Sequence, residues 1–276
     1  MKGILFGGCS FTWGQGLYFY SELNRLTYPV NEFTYNDSTV NDAHRKFRDT
    51  LRYPRLVANH FKTFEVFKKM NGGCEDETFD FFKTIFNFKD NINANEHLST
   101  ERYNYDDFDY IVIQLSQLWR NNYYFIDEGV IDHASIWPSN RDIGWNVDKL
   151  FNWLGENNMT IDDWIVDHTQ KQIDRLKNEL KFYEEKGIKT RIMAWEDNLV
   201  PSILEDEFLN ERFIKLTHNN IDYLTIRGLQ DAFPHLRIKH DTDKFGENPP
   251  DDHHPSKECH EIIAKNIIEN IEKDLK

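Results

Sequence analysis

Residues Tyr110 to Leu115 read YIVIQL, a run without polar and apolar alternation, rich in β-branched side chains and bounded by acidic residues. A strand of that pattern leaves no face for water, so it belongs inside a parallel sheet with helices against both faces. Gly3 to Phe6 is a shorter run of the same kind. It ends in Gly7 and Gly8 and reads as strand one feeding a tight turn. Thr63 to Lys68, followed by Asn71, Gly72 and Gly73, and Thr190 to Trp195 (TRIMAW) read as two more strands, and residues 221–226 as an extended piece.

Helical spacing fills the intervals. Thr50 to Phe61 is amphipathic, Asp76 to Phe88 has apolar positions three and four apart, and Ile161 to Lys186 repeats that spacing until Gly187 stops it. Residues 203–213 also read as helix, and Pro255 to Leu275 as a closing helix with Ser256 near its start. Strands alternating with helices imply an α/β fold, a three-layer α/β/α sandwich with a mostly parallel sheet. A length of 276 residues with 39% hydrophobic content suits one domain, residues 1–276, carrying insertions. Residues 25–50, polar and without period, read as a surface excursion. Residues 119–160, rich in Asn, Asp and Trp, read as a longer insertion, a lid or substrate wall.

The formal net charge of -14 sets acidic surface against any polyanion, so nucleic acid is not the expected partner. A neutral ester, amide or sugar is compatible with it. Cys9, Cys74 and Cys259 cannot all pair within one chain and form no CxxC pattern, so reduced thiols are expected. The opening MKGILFGG is far short of a signal-peptide core or a membrane span, which gives the expectation of a cytoplasmic protein without membrane insertion.

Two segments carry chemistry. In GGCSFTWGQG, residues 7–16, Ser10 directly follows strand one among small residues, where open α/β folds bind ligands. Its hydroxyl is then available as a nucleophile; the plainer alternative is a serine capping the following helix. The glycines do not match a dinucleotide-binding GxGxxG in register. In DDHHPSKECHEIIA, residues 251–264, Asp251 precedes His254 by three residues ahead of Pro255, a spacing that sets a carboxylate beside an imidazole and fixes its tautomer. The alternatives are a solvated acidic loop capping the last helix, and a metal site drawn from Asp251, Asp252, His253, His254 and His260 that no second cluster completes.

Together these segments resemble the SGNH/GDSL hydrolase family. GGCSFTWG is similar to its first block in the variant reading GCSFT rather than GDS. DDHHPS is similar to its last block, DxxHP, and both stand in the family's order. The resemblance implies a flavodoxin-like sandwich and a serine esterase or deacylase with Ser10 as nucleophile, His254 as general base and Asp251 as its partner, with Asp252 in reserve. It also implies an oxyanion hole built from Ser10, Gly73 of NGGCEDETF and the segment after YIVIQL. There Ser116 stands where the family has Asn, with Gln117 beside it as a further donor. No cofactor is implied. The substrate class is a small-molecule or glycan acyl ester, most simply an acetyl ester. Trp13, Trp119, Trp137 and Trp145 are candidates for stacking on sugar rings, with core packing as the alternative. GCSFT-type sequences resemble proteins of bacteria and bacteriophages; in a viral setting host-surface glycans and a virion-associated place would suit the same chemistry. The rival is an inactive carbohydrate-binding or structural module on the same scaffold, which Ser116 in place of Asn and Glu75 after the glycine block favour.

Overall fold

A computed structural model of the chain describes residues 1–8, 12, 17, 49–67, 75–86, 102–116, 120–123, 132–135, 152, 154–238 and 254–276. Its centre is a parallel sheet of β1 (Gly3–Gly7), β2 (Glu65–Phe67), β3 (Phe108–Leu115) and β6 (Lys189–Ala194), in the order β2-β1-β3-β6. Leu5 faces Val66 on one side and Ile111 on the other, and Val112 faces Arg191 across the next pair. Beyond β6, Ile192 bridges Phe213 in parallel, its N–H donating to the Arg212 carbonyl at 2.9 Å while Ile214 N–H returns to its own carbonyl at 2.7 Å. Two antiparallel pairs stand apart from the sheet: β4 (Arg120–Tyr123) with β5 (Asp132–Ser135), and β7 (Leu216–His218) with β8 (Ile221–Tyr223).

Both faces of the sheet are apolar because each is covered by helices. Leu5, Ile111, Ile113 and Ile192 pack with α2 (Glu75–Phe86), α3 (Ile161–Glu185), α4 (Val200–Glu205) and α5 (Glu207–Asn210). Ile4, Phe6, Val112 and Met193 face the other way, onto α1 (Tyr53–Phe61), α6 (Ile226–Ala232) and α7 (Lys257–Asp274). An amphipathic stripe explains each long helix. Ile263, Ile267 and Ile271 recur every four residues along α7 and are fully buried, each burial contributing roughly 1.5–3 kcal/mol. On α3 the buried positions are Trp164, His168, Ile173, Leu176, Leu180 and Tyr183.

The helix ends are written in local chemistry. Thr160 accepts from Asp163 N–H and Asp163 reaches back to Thr160, a capping box that opens α3, and Gly187 at φ 83° closes it. Ser256 caps α7 through Cys259 N–H at 3.3 Å. The expected helix over 203–213 is two short helices, because Asp206 stops the first and caps the second by accepting from Leu209 N–H at 3.1 Å. The extended piece expected over 221–226 ends at Tyr223. Thr225 then caps α6 by accepting from Gly228 N–H at 2.9 Å. Within the expected insertion, β4 and β5 are strands the spacing had not signalled.

Candidate active site

From β1 the chain runs outward to β2 and then crosses back to place β3 on the other flank of β1. At such a switch point the loops leaving two neighbouring strands diverge and open a crevice at their carboxyl ends. Gly7 at the end of β1, Gly8 after it and Ser116 after β3 stand at that end of the sheet, since Gly7 pairs with Ile113.

The two glycines have separate reasons. A side chain on Gly7 would collide with Thr78 Cγ2 and come within 2.7 Å of the Phe82 ring, so the strand end lies bare against α2. Gly8 sits at φ 153°, and a Cβ there would collide with Thr12 Oγ1 and stand 3.1 Å from Gln114. Thr12 Oγ1 therefore lies against Gly8. Position 10 is bracketed in sequence by these two anchored residues.

Thr12 is fully buried and enters a chain of polar contacts. Its hydroxyl donates to Gln114 Oε1 at 3.3 Å; with that proton committed, the Tyr53 hydroxyl, 2.6 Å away, donates to Thr12. The Gln114 amide nitrogen donates to the Leu115 carbonyl at 2.6 Å, at the end of β3. Tyr53 opens α1, where a helix leaves backbone N–H groups without intrahelical partners, and its N–H donates to His260 Nδ1 at 3.2 Å. The two rings stack with centroids 5.6 Å apart.

His260 is fully buried on the first turns of α7, and its proton affinity is pushed down to about 3, first by burial and then by the neighbouring His254 and Arg52. It is neutral. Since Nδ1 accepts, the proton is on Nε2, which has no hydrogen-bond partner among the described residues. Arg52, buried in turn, is bound by Asp49 at 2.8 Å and Glu65 at 3.3 Å.

His254 is half-buried on the segment leading into α7. Its carbonyl accepts from Ile238 N–H at 2.9 Å, Pro255 bridges Arg237, and Ser256 N–H donates to the Leu236 carbonyl at 2.7 Å. These two hydrogen bonds, which together make the Arg237–Pro255 bridge, fix the backbone at His254 immediately before the helix.

Of the residues expected to form the site, His254 and Ser116 are described; Ser116 is buried at the end of β3. Ser10, Asp251, Gly73, Gln117, Trp13, Trp119, Trp137 and Trp145 lie outside the described residues, as do Asp252 and His253. His260, considered above as a metal ligand, has its Nδ1 lone pair occupied by Tyr53 in the core. Among the described residues no three His, Cys, Asp or Glu side chains gather as a metal site. Cys259 is a free, buried thiol whose pKa burial raises well beyond the usual range. Thr12, Tyr53 and Gln114 were not singled out from sequence, because contacts across 41, 102 and 207 positions leave no local pattern.

A cavity of about 630 Å³ opens elsewhere, lined by Lys83, Tyr105, Arg175, Glu179, Phe182 and Tyr183. Tyr105 precedes β3 and Tyr183 nears the end of α3, so this cavity lies toward the amino ends of the strands. Lys83 is paired there with Glu179 at 2.7 Å. No helix among the described residues is long and apolar enough to cross a membrane. Compared with models of known protein families, with curated proteins and with solved structures, the chain matches none.

Proposed function

We propose that this protein is a serine esterase or deacylase of the SGNH/GDSL type, acting through an acyl-enzyme on Ser10. The observation that carries the reading is the convergence of three segments at the carboxyl end of the sheet. Thr12 after β1, Gln114 at the end of β3 and His260 in the first turns of α7 are joined through Tyr53. In sequence they stand near Ser10, Ser116 and His254, the expected nucleophile, oxyanion donor and base. The parallel order β2-β1-β3-β6, with a further pairing at Phe213, agrees with the flavodoxin-like sandwich of that family.

In the reaction His254 takes the Ser10 proton as the serine oxygen attacks an acyl carbonyl, and Asp251 orients the ring and stabilises the imidazolium. The alcohol leaves with that proton. Water, activated by the same His254, then releases the acid. Negative charge on the tetrahedral oxygen is met by the N–H groups of Ser10 and Gly73 and by Ser116 or Gln117. The substrate is an acyl ester, an acetyl group on a carbohydrate fitting the Trp-rich 119–160 region best.

The test is active-site labelling. Treated with a fluorophosphonate and mapped by mass spectrometry, the protein carries its adduct on Ser10, and a Ser10→Ala variant carries none. An unlabelled protein without Ser10-dependent turnover of p-nitrophenyl acetate would instead make the inactive binding or structural module the better account. Within the active reading, Ser116→Ala lowers kcat by about 10- to 10³-fold, as loss of one oxyanion donor does. Unchanged kcat would assign that duty to Gln117 or to backbone N–H groups alone.

A further inference from the structure

Buried polar side chains lose hydration, and apolar ones of the same shape would fill the space beneath Gly8 without that penalty. Yet Thr12, Tyr53 and His260 are fully buried, and Gln114 is 1% exposed. Their contacts tie together three stretches far apart in the chain: the turn after β1, the start of α1 and the first turns of α7, with Gln114 adding the end of β3. Hydrogen bonds have a narrow range of length and angle, so such a chain fixes distance and rotation between the segments it joins where apolar contact would let them slide.

We propose that the buried chain His260, Tyr53, Thr12 and Gln114 is the positioning device of the Ser10 and His254 pair, holding the nucleophile turn at a set distance from the base. The inference rests on the serine-hydrolase reading. Each link supports it. Thr12 is two positions beyond Ser10 in sequence, and its hydroxyl lies against Gly8. His260 is six positions beyond His254 on the helix that the His254 segment enters, and Ser256 caps that helix. Tyr53 connects the two with two of its polar groups: the hydroxyl reaches Thr12 and the backbone N–H reaches His260.

Tyr53→Phe removes one hydroxyl and keeps the ring against Phe6 at 5.9 Å and His260 at 5.6 Å. The expected result is a fall of about 10- to 100-fold in kcat for p-nitrophenyl acetate and in the rate of fluorophosphonate labelling at Ser10, with KM held within about twofold. Thr12→Val behaves in the same way, and Thr12→Ser, which keeps the hydroxyl, restores rates to within about threefold of wild type. In a His254→Ala background, adding Tyr53→Phe lowers the residual rate by less than about twofold, because no pair remains to align.

Equal kcat and labelling in Tyr53→Phe and wild type would overturn the inference while leaving the serine-hydrolase reading in place. So would an equal fall in both backgrounds, which would reduce the chain to support of the fold. A wild-type protein that takes no label at Ser10 removes the reading, and the positioning role with it. Should Tyr53→Phe melt below the assay temperature, Thr12→Val and Thr12→Ser carry the same comparison.

Discussion

On the proposed serine-hydrolase mechanism, His254→Ala is expected to lower ester turnover by about 10³- to 10⁶-fold while the folded state persists. The large kinetic effect follows from the proposed role: without a base, the serine would attack as a neutral alcohol, and what remained would be binding and the oxyanion donors. The small structural effect follows from how the residue is held. Its carbonyl accepts from Ile238, its neighbour Pro255 bridges Arg237, and Ser256 caps α7; alanine keeps all three. Steady-state kinetics beside circular-dichroism melting separates the two. Near-normal turnover in a folded variant would remove His254 from the base role, and loss of turnover together with collapse of the melting curve would show that the ring also holds the fold.

The second large effect is thermodynamic. Phe82→Ala destabilises the protein by about 3–5 kcal/mol in urea titration, through lost burial and the cavity left behind. Phe82 is fully buried on α2, edge-on to Tyr183 of α3 at 5.8 Å and near Phe79 and Phe81. It also backs the bare Cα of Gly7, so the cavity would open directly behind the end of β1. Phe82→Leu, which returns most of the volume, costs less than about 1.5 kcal/mol. A loss below about 1 kcal/mol for alanine would mean that α2 moves in to fill the space, and that the contact holding Gly7 is softer than the packing indicates.

The strands buried on both faces were readable from sequence because continuous apolar runs such as YIVIQL and GILF have no other home. The long helices were readable because α3 and α7 carry whole turns of period and local stop signals in Gly187 and Ser256. The short elements were not. In α5 and α6 the residues that matter are single caps, Asp206 and Thr225, which also suit a turn. The β4 and β5 pair is held by pairing between segments rather than by any strong strand pattern in NNY or DHAS. For the candidate site, His254 could be singled out because the Asp-x-x-His-Pro pattern lies within one short stretch of sequence, whereas Tyr53 and Gln114 reach Thr12 only where the fold brings them together. His260 had a legible residue type in an illegible setting. Nothing in CHEII says that its ring is buried against Tyr53, and that burial turns a ligand type into a neutral core group.

The central place of β1 bears on how the molecule is born. As the chain leaves the ribosome, Ile4, Leu5 and Phe6 emerge before either strand that will flank them, and their partner on one side, Tyr110 to Val112, is more than a hundred residues away. Parallel pairings of such separation form slowly, because a long loop must close before any bond rewards it. Until then a run of apolar side chains with open backbone is exposed to chaperones and to other nascent copies. Only when α7 lays Ile263, Ile267 and Ile271 against the face shared with Tyr53 and Val57 is that strand fully enclosed. Yield during synthesis is therefore governed by the speed of the most distant contacts, and slower growth at low temperature, which weakens premature apolar association, should favour the native form.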